Sequence, residues 1–290
     1  KREIWYLEAG SGHHWAAVQI PPDACWVQSN TYRIGHIDPD DSGVLASPGI
    51  TEFAAEHQLY NPEKELFDFS EAFGGRKQKH SPAKEYNNRR LWRAISLLAP
   101  SLEVQPDQEG YPLFIRPENK VTLEKLISIL RDHYQGTRWY TFGNDSLAGG
   151  AKPVASEKTA YTNIVQLTDG MPANVGAVLW TGLGAPNTTP YIPFYFGINQ
   201  VPEPYNKKTP DSQKAYKTYK TLTDRYYSDP DRYTDIFPDI WYDFQTKAIQ
   251  EQGAMRLYRT DVRMAKHFIT VNVEGLSQQA LDKASEQLEE

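Results

Sequence analysis

Three short apolar runs lie within the first thirty residues, and each is bounded by glycine or proline. They cover residues 4–7, 15–20 and 24–27. Short apolar runs between turn residues are typical of buried strands, so we predict a three-stranded meander. The third run leads to Ser29-Asn30, where a strand would open into a cleft. An asparagine amide at such a position can donate a hydrogen bond to an oxyanion, although a turn residue that closes a strand produces the same pattern.

Helical periodicity follows the meander. Apolar residues at helical spacing predict helices over residues 48–57, 67–73, 85–99 and 123–133. We expect Pro100 to end the third of these helices and Thr122 to cap the fourth, because proline cannot continue a helix and threonine is a common N-cap.

Extended segments return in the second half of the chain and give way to helices. Strands are predicted over residues 163–167, 177–181 and 191–196. Beyond residue 211 the pattern is mostly helical, with one extended segment predicted at residues 268–273. Leu276, Ala280, Ala284 and Leu288 then predict a helix that is still running at Glu290. This order favours a layered α/β or α+β fold over a Rossmann alternation. We expect residues 1–200 to form the main domain and residues 201–290 a helical region packed on it.

Composition excludes several classes of protein. The 290-residue chain has a formal net charge of −6 and 39% hydrophobic residues, as ordinary globular proteins do. A protein with a negative net charge is not suited to bind nucleic acid non-specifically. No apolar run approaches the roughly 20 residues that span a bilayer. We therefore expect neither a nucleic-acid partner nor a membrane partner, and we predict a cytoplasmic location.

The strong cofactor and metal motifs are absent from the sequence. There is no His-Glu-x-x-His pair, no complete Gly-x-Gly-x-x-Gly loop and no Gly-x-Ser-x-Gly elbow. A single cysteine, Cys25, rules out a Cys-x-x-Cys zinc site, and we interpret it as a small core residue within an apolar run. The sequence thus predicts no cofactor and no metal.

Four other side chains are candidates for chemistry. Glu8 lies in a strand that its other residues predict to be buried, so it either pairs internally or meets a substrate ammonium in a cleft. Arg89 and Arg90 lie within an aromatic-rich helix, where an arginine either lies on a ring at the surface or is held partly buried for a purpose. His133, at a predicted helix end, either edges a cleft or complements the helix dipole.

Five segments, in this order, resemble the cysteine dipeptidases with an N-terminal nucleophile, the dipeptidase A type of lactic acid bacteria. They are Ile4-Trp5-Tyr6-Leu7-Glu8 with Ser11-Gly12-His13-His14-Trp15, Ile20-Pro21-Pro22-Asp23, Tyr86-Asn87-Asn88-Arg89-Arg90-Leu91-Trp92, His133-Tyr134 near Gly136-Thr137, and Ala185-Pro186-Asn187-Thr188-Thr189-Pro190-Tyr191-Ile192-Pro193-Phe194.

The resemblance implies a four-layer αββα sandwich and hydrolysis of dipeptides or short peptides by a cysteine that is the first residue of the mature enzyme. By position in the motifs, Asn30 would donate to the oxyanion and Arg90 would stabilise the thiolate. Glu8 and His133 would hold the ends of the dipeptide. The chain begins with Lys1 and its only cysteine, Cys25, lies within a predicted strand, so we expect this chain to be the C-terminal part of a longer protein whose front segment carries the nucleophile. Its partners would be the missing N-terminal segment and the substrate, and self-association into a homo-oligomer stays open.

Two other functions remain open at the level of sequence. The wider fold group includes penicillin V acylases and bile salt hydrolases, so an amidase or acylase of non-peptide amides is the first alternative. The second alternative is a non-catalytic relative that binds partners.

Overall fold

The computed structural model describes residues 3–38, 41–74, 83–108, 110–140, 152–206, 214–233, 236–255 and 261–289. These residues form two compact units. The first runs to Leu123 and includes Lys152, and the second comprises residues 124–140 and the described residues from Pro153 onward. In the described parts of the chain, no helix is long and apolar enough to cross a membrane.

The described residues combine short strands with helices of very different length. The strands are β1 (Ile4–Ala9), β2 (Trp15–Ile20), β3 (Cys25–Trp26), β4 (Val44–Ala46), β5 (Phe114–Ile115), β6 (Tyr161–Leu167), β7 (Ala177–Leu183) and β8 (Ile192–Tyr195). The α-helices are α1 (Ile50–Glu56), α2 (Ala83–Leu98), α3 (Leu123–Leu130), α4 (Ala173–Gly176), α5 (Lys214–Ser228), α6 (Pro230–Tyr233), α7 (Ile236–Met255) and α8 (Val262–Glu289). The predicted mixture of α and β structure is confirmed, and every sheet pairing is antiparallel.

The sheet of the first unit, in the order β1-β2-β4, has one covered face and one open face. Alternation along the strands places Ala16 and Val18 in one core cluster with Ile50 and Ala54 of α1. On the other face, Leu7 and Leu45 stand on either side of Ala17 and are 54% and 50% exposed. An apolar sheet face is therefore left uncovered in this unit.

The predicted meander is wrong at its third strand. Cys25–Trp26 pairs with Phe114–Ile115, and the second neighbour of β2 is Val44–Ala46. The chain turns after β2, where the Ala24 N–H donates to the Pro21 carbonyl at 3.0 Å. Trp26 then stacks on Tyr6 with ring centroids 4.1 Å apart, so the third run contacts the sheet through side chains.

The second unit repeats the arrangement of one covered face and one open face. Its sheet has the order β6-β7-β8, and helices α5, α7 and α8 contact the last two strands. Ile164 and Trp180 are buried on the helix side, whereas Tyr161, Val165 and Leu167 point to the other face and are 58–63% exposed.

One predicted strand and one predicted helix boundary are wrong. The segment predicted as extended, residues 268–273, is helical and lies inside α8. Its β-branched residues favour a strand, but Ile269, Val273 and Leu276 are buried at helical spacing, and burial of one helix face outweighs local preference. The helix predicted over residues 123–133 ends at Leu130, because the side chains of Asp132 and Gln135 bind backbone N–H groups of the residues that follow it, as described below.

A single arginine binds the C-terminal end of α8. Arg225, on α5, donates from its two terminal nitrogens to the carbonyls of Gln287 and Leu288, at 3.1 and 2.5 Å. The last carbonyls of a helix lack intrahelical partners and carry partial negative charge, so a guanidinium satisfies both needs.

We expect Arg225→Ala to lower the free energy of unfolding by about 1–2 kcal/mol, because it removes two charge-assisted bonds at a helix end. Urea denaturation measures the loss. Lys217→Ala, which changes an exposed residue of the same helix, is the control and should stay within about 0.5 kcal/mol of the wild type. Equal effects of the two substitutions would contradict the assigned role.

Candidate functional site

The side-chain amide of Asn87, on helix α2, binds the end of the third apolar run. Asn87 donates from Nδ2 to the backbone carbonyl of Asn30 at 3.1 Å and accepts on Oδ1 from the Ser29 hydroxyl at 3.3 Å. Asn87 is buried, with 4% exposure. Both ends of its amide are thereby committed to a loop 57 residues away in the sequence.

Arg90 joins the same amide. Its terminal nitrogen donates to Asn87 Oδ1, and its guanidinium carbon lies 5.7 Å from the centroid of the Tyr86 ring. Residues three and four apart share one face of a helix, so Tyr86, Asn87 and Arg90 form a single patch on α2. The side chain of Asn30, next to this patch, is exposed to solvent.

The adjacent arginine has a different role. Arg89 is buried and donates to the carboxylates of Glu85 and Asp107, each at 3.2 Å. These contacts fix Arg89 as part of an ion-pair network that secures α2. Arg89 is thus held by carboxylates within the protein. Arg90 is the arginine that contacts Asn87 and so lies toward the Asn30 loop.

Glu8 fixes the other side of the Asn30 loop. Its carboxylate is 4% exposed and accepts the backbone N–H groups of Arg33 and Ile34, at 2.7 and 3.0 Å. Burial raises the pKa of this carboxyl, while the two N–H groups act in the opposite direction. The two oxygens therefore hold the backbone three and four residues after Asn30.

Arg33 completes the support of the loop. Its guanidinium donates to the carbonyls of Val27, Tyr111 and Pro112 and lies over the Trp26 ring. Burial lowers the pKa of this guanidinium below its ordinary value. The loop that carries Asn30 is therefore held by Arg33, by Glu8 and by Asn87, from three directions.

His133 lies in the second unit, at a helix end built by its neighbours. The Asp132 carboxylate accepts the N–H of Tyr134 at 2.8 Å, and the Gln135 side chain accepts the N–H of His133 at 2.7 Å. Tyr134 adopts a positive φ of 63°, a left-handed conformation that stops a helix. These contacts explain why α3 ends three residues before the predicted boundary.

Both ring nitrogens of His133 have partners. Nδ1 lies 2.9 Å from the Arg131 carbonyl and Nε2 lies 3.1 Å from the Tyr227 hydroxyl, whose oxygen is 3.2 Å from Oδ1 of Asn187. The imidazole is 3% exposed, and burial lowers its pKa. The 185–191 segment is held to the same place by Arg131, which donates to the carbonyls of Pro186 and Thr189.

The protonation state of His133 sets the direction of this chain of hydrogen bonds. A carbonyl only accepts, so Nδ1 carries a proton and a neutral ring must accept the Tyr227 proton on Nε2. The Tyr227 oxygen then accepts from the Asn187 amide, whose nitrogen has to face it. If His133 is protonated, Nε2–H donates, Tyr227 donates to Oδ1, and the amide is reversed.

Sequence reasoning missed the residues that join these groups. Asn87 stands in the Tyr-Asn-x-x-Arg segment at a spacing of three from Arg90, which was the available sign that the two share a helix face. Ser29 directly precedes Asn30, and this adjacency was the sign of its role in the sequence. Tyr227 carries no comparable sign, because its contact with His133 joins positions 94 residues apart.

Cys25 does not have the surroundings of an activated nucleophile, and in the described part of the chain the pair His13-His14 does not belong to a metal site. Cys25 is half-buried, and burial raises the pKa of its thiol, whereas an activated thiolate requires a lowered pKa. His14 Nδ1 is 2.9 Å from the Ser47 hydroxyl. Within the described ranges, no group of three or more His, Cys, Asp or Glu side chains is placed to hold a metal ion.

The sequence of this chain matches a known protein family. Residues 1–236 match the model of Peptidase family C69, and the chain belongs to that family. It is 33% identical over 211 residues to a "Probable dipeptidase" of Salmonella dublin, covering 72% of this chain and 48% of the relative. It is 28% identical over 267 residues to a "Probable dipeptidase" of Latilactobacillus sakei, covering 90% and 54%. "Dipeptidase A" of Lactobacillus helveticus is 28% identical over 206 residues, covering 70% and 43%. The chain spans about half the length of these relatives.

The buried state of His133 predicts a pH dependence of stability. The unfolded chain protonates this residue near its ordinary pKa of about 6.5, whereas the folded protein, with a lowered pKa, does so only at lower pH. Below about pH 6.5 the unfolded state therefore binds more protons, and the free energy of unfolding should fall by up to about 1.4 kcal/mol per pH unit.

Urea denaturation between pH 7 and pH 5 measures this slope. We expect His133→Gln to remove the contribution of one proton from the slope, whatever its effect on absolute stability. His267→Gln, which changes an exposed histidine of the same unit, should leave the slope unchanged. An unaltered slope in the His133 variant would show that the residue is not held neutral.

Proposed function

We propose that this chain is the C-terminal part of a cysteine dipeptidase and that Asn30 and Arg90 belong to its catalytic site. The observation that carries the proposal is the shared amide of Asn87, which binds the Asn30 backbone and the Arg90 guanidinium at once. An amide donor and a fixed positive charge at one place suit a reaction in which negative charge develops on oxygen and sulfur. Family membership and the printed names of the relatives support the same class of reaction.

The nucleophile in this proposal is a cysteine outside the 290 residues, at the first position of the mature enzyme. Its α-amino group takes the thiol proton as the sulfur attacks the peptide carbonyl carbon. The tetrahedral oxyanion accepts a hydrogen bond from the Asn30 amide, and Arg90 offsets the charge of the thiolate. The C–N bond then breaks, the leaving amine receives the proton, and water hydrolyses the thioester. The raised pKa of Cys25 argues against that residue as an alternative nucleophile.

The open sheet faces support an αββα sandwich for the whole protein. Each unit covers one face of its sheet and leaves an apolar face exposed, with Leu7 and Leu45 in the first unit and Val165 and Leu167 in the second. An exposed apolar sheet face of this kind is a surface that a further layer of structure covers in a complete domain. In this proposal the missing N-terminal segment is the main partner of the chain.

Glu8 and His133 remain predictions as groups that hold the ends of the dipeptide. The contacts of Glu8 favour an indirect role, since its two oxygens bind the backbone beside Asn30. The contacts of His133 favour a positioning role for the 185–191 segment through Tyr227.

We expect Asn30→Ala in the full-length protein to lower kcat for dipeptide hydrolysis by roughly 10²–10³-fold with a smaller change in KM, because the lost donor acts mainly in the transition state. Arg90→Met should also lower kcat. Asn88→Ala, which removes the neighbouring asparagine of the same helix, is the matched control and should retain near wild-type rates.

Two outcomes would contradict the proposal. One is an Asn30→Ala variant with near wild-type kcat. The other is dipeptide hydrolysis by the 290-residue chain alone, which would place the nucleophile within it. A substrate panel that includes penicillin V and conjugated bile salts tests the acylase alternative, which predicts their hydrolysis in preference to dipeptides.

A further inference from the structure

A second cation lies on the ring that Arg90 contacts. The Lys152 ammonium is 4.5 Å from the centroid of the Tyr86 ring, and the Arg90 guanidinium carbon is 5.7 Å from the same centroid. Lys152 belongs to the first compact unit together with α2, although it is distant from α2 in the sequence. The two positive groups therefore lie within about 10 Å of each other, which is comparable to the Debye length of about 8 Å at physiological ionic strength.

The two cations differ in their exposure and in the contacts that place them beside the ring. Arg90 donates to the Asn87 amide, which fixes its guanidinium beside the Asn30 loop. Lys152 is exposed, and the face of the Tyr86 ring attracts its ammonium. An ammonium on a flexible four-carbon chain loses rotamer entropy when it is ordered, and an aromatic surface beneath it reduces the further cost of ordering it on a ligand.

From this arrangement we infer that Lys152 binds the C-terminal carboxylate of the dipeptide. The inference rests on the proposed function, and it names the group that makes the site selective for substrates only two residues long. In a dipeptide, the terminal carboxylate is a single residue away from the scissile carbonyl. A cation that recognises the carboxylate must therefore lie beside the oxyanion donor. Lys152 contacts the ring of Tyr86, which lies on the same helix face as Arg90 and as Asn87, the residue that binds the Asn30 backbone.

Arg90 and Lys152 have different roles in this arrangement. Arg90 acts on the reacting sulfur and oxygen and is needed for every substrate. Lys152 acts on a charge that only substrates with a free C-terminus carry. Substitution of Lys152 should therefore change the discrimination between substrates while leaving the chemical step intact.

The experiment compares a neutral dipeptide with the same dipeptide as its C-terminal amide, using the full-length protein. We expect the wild type to prefer the free acid. Lys152→Met should raise KM for the free acid roughly tenfold with little change in kcat, and should leave KM for the amide nearly unchanged. Lys152→Arg should restore most of the preference, and Lys120→Met, which removes an exposed lysine of the same unit, should have no effect.

The outcomes distinguish the two claims. A wild type that hydrolyses dipeptides, together with a Lys152→Met variant that keeps the full preference for the free acid, would overturn this inference alone. A wild type without dipeptide hydrolysis would overturn the proposed function and this inference with it. An equal rise in KM for the free acid and for the amide would show that Lys152 supports the fold of the site and does not bind the carboxylate.

Discussion

The candidate site depends on one buried side chain, the amide of Asn87. A buried amide is costly unless its donor and acceptor are both satisfied, and here one end binds the Asn30 carbonyl while the other binds Arg90 and Ser29. This requirement fixes the position of a loop relative to a helix far away in the sequence. Glu8 and Arg33 hold the same loop from its other sides, so the exposed Asn30 side chain stands on a rigid base.

Rigidity of this kind is what electrostatic catalysis needs. A donor that must reorganise during the reaction loses much of its benefit, whereas a preorganised donor stabilises developing charge at no further cost. The polar groups of the site are supported mainly by backbone contacts: carbonyls accept from Arg33 and backbone N–H groups donate to Glu8. The second unit follows the same principle, since Arg131 donates to backbone carbonyls of the 185–191 segment and His133 donates to the backbone carbonyl of Arg131.

Much of this organisation could be predicted from the sequence, and the failures have physical causes. The helix that carries Arg90 and the strands of the second sheet follow from periodicity, because each buries one face. The third strand was paired wrongly because β5, its partner, lies about ninety residues away and periodicity contains no information on pairing. Residues 268–273 were predicted as extended because their β-branched side chains were given more weight than the burial of one face along the whole of α8. Asn87 was missed because its role depends on a loop that only the tertiary structure brings to it. The positions of Asn30 and Arg90 were available from the motif order, and their catalytic roles stay predictions.

A double-mutant cycle on Asn87 and Arg90 tests the central claim most directly. In the full-length protein, kcat/KM for a dipeptide would be measured for Asn87→Ala, Arg90→Met and the double variant. If the Asn87 amide holds the guanidinium in place, the second substitution should cost little once the first is present, and the double variant should be at least tenfold more active than the product of the single losses predicts. Independent, multiplicative losses would show that the two residues act separately and would contradict the account.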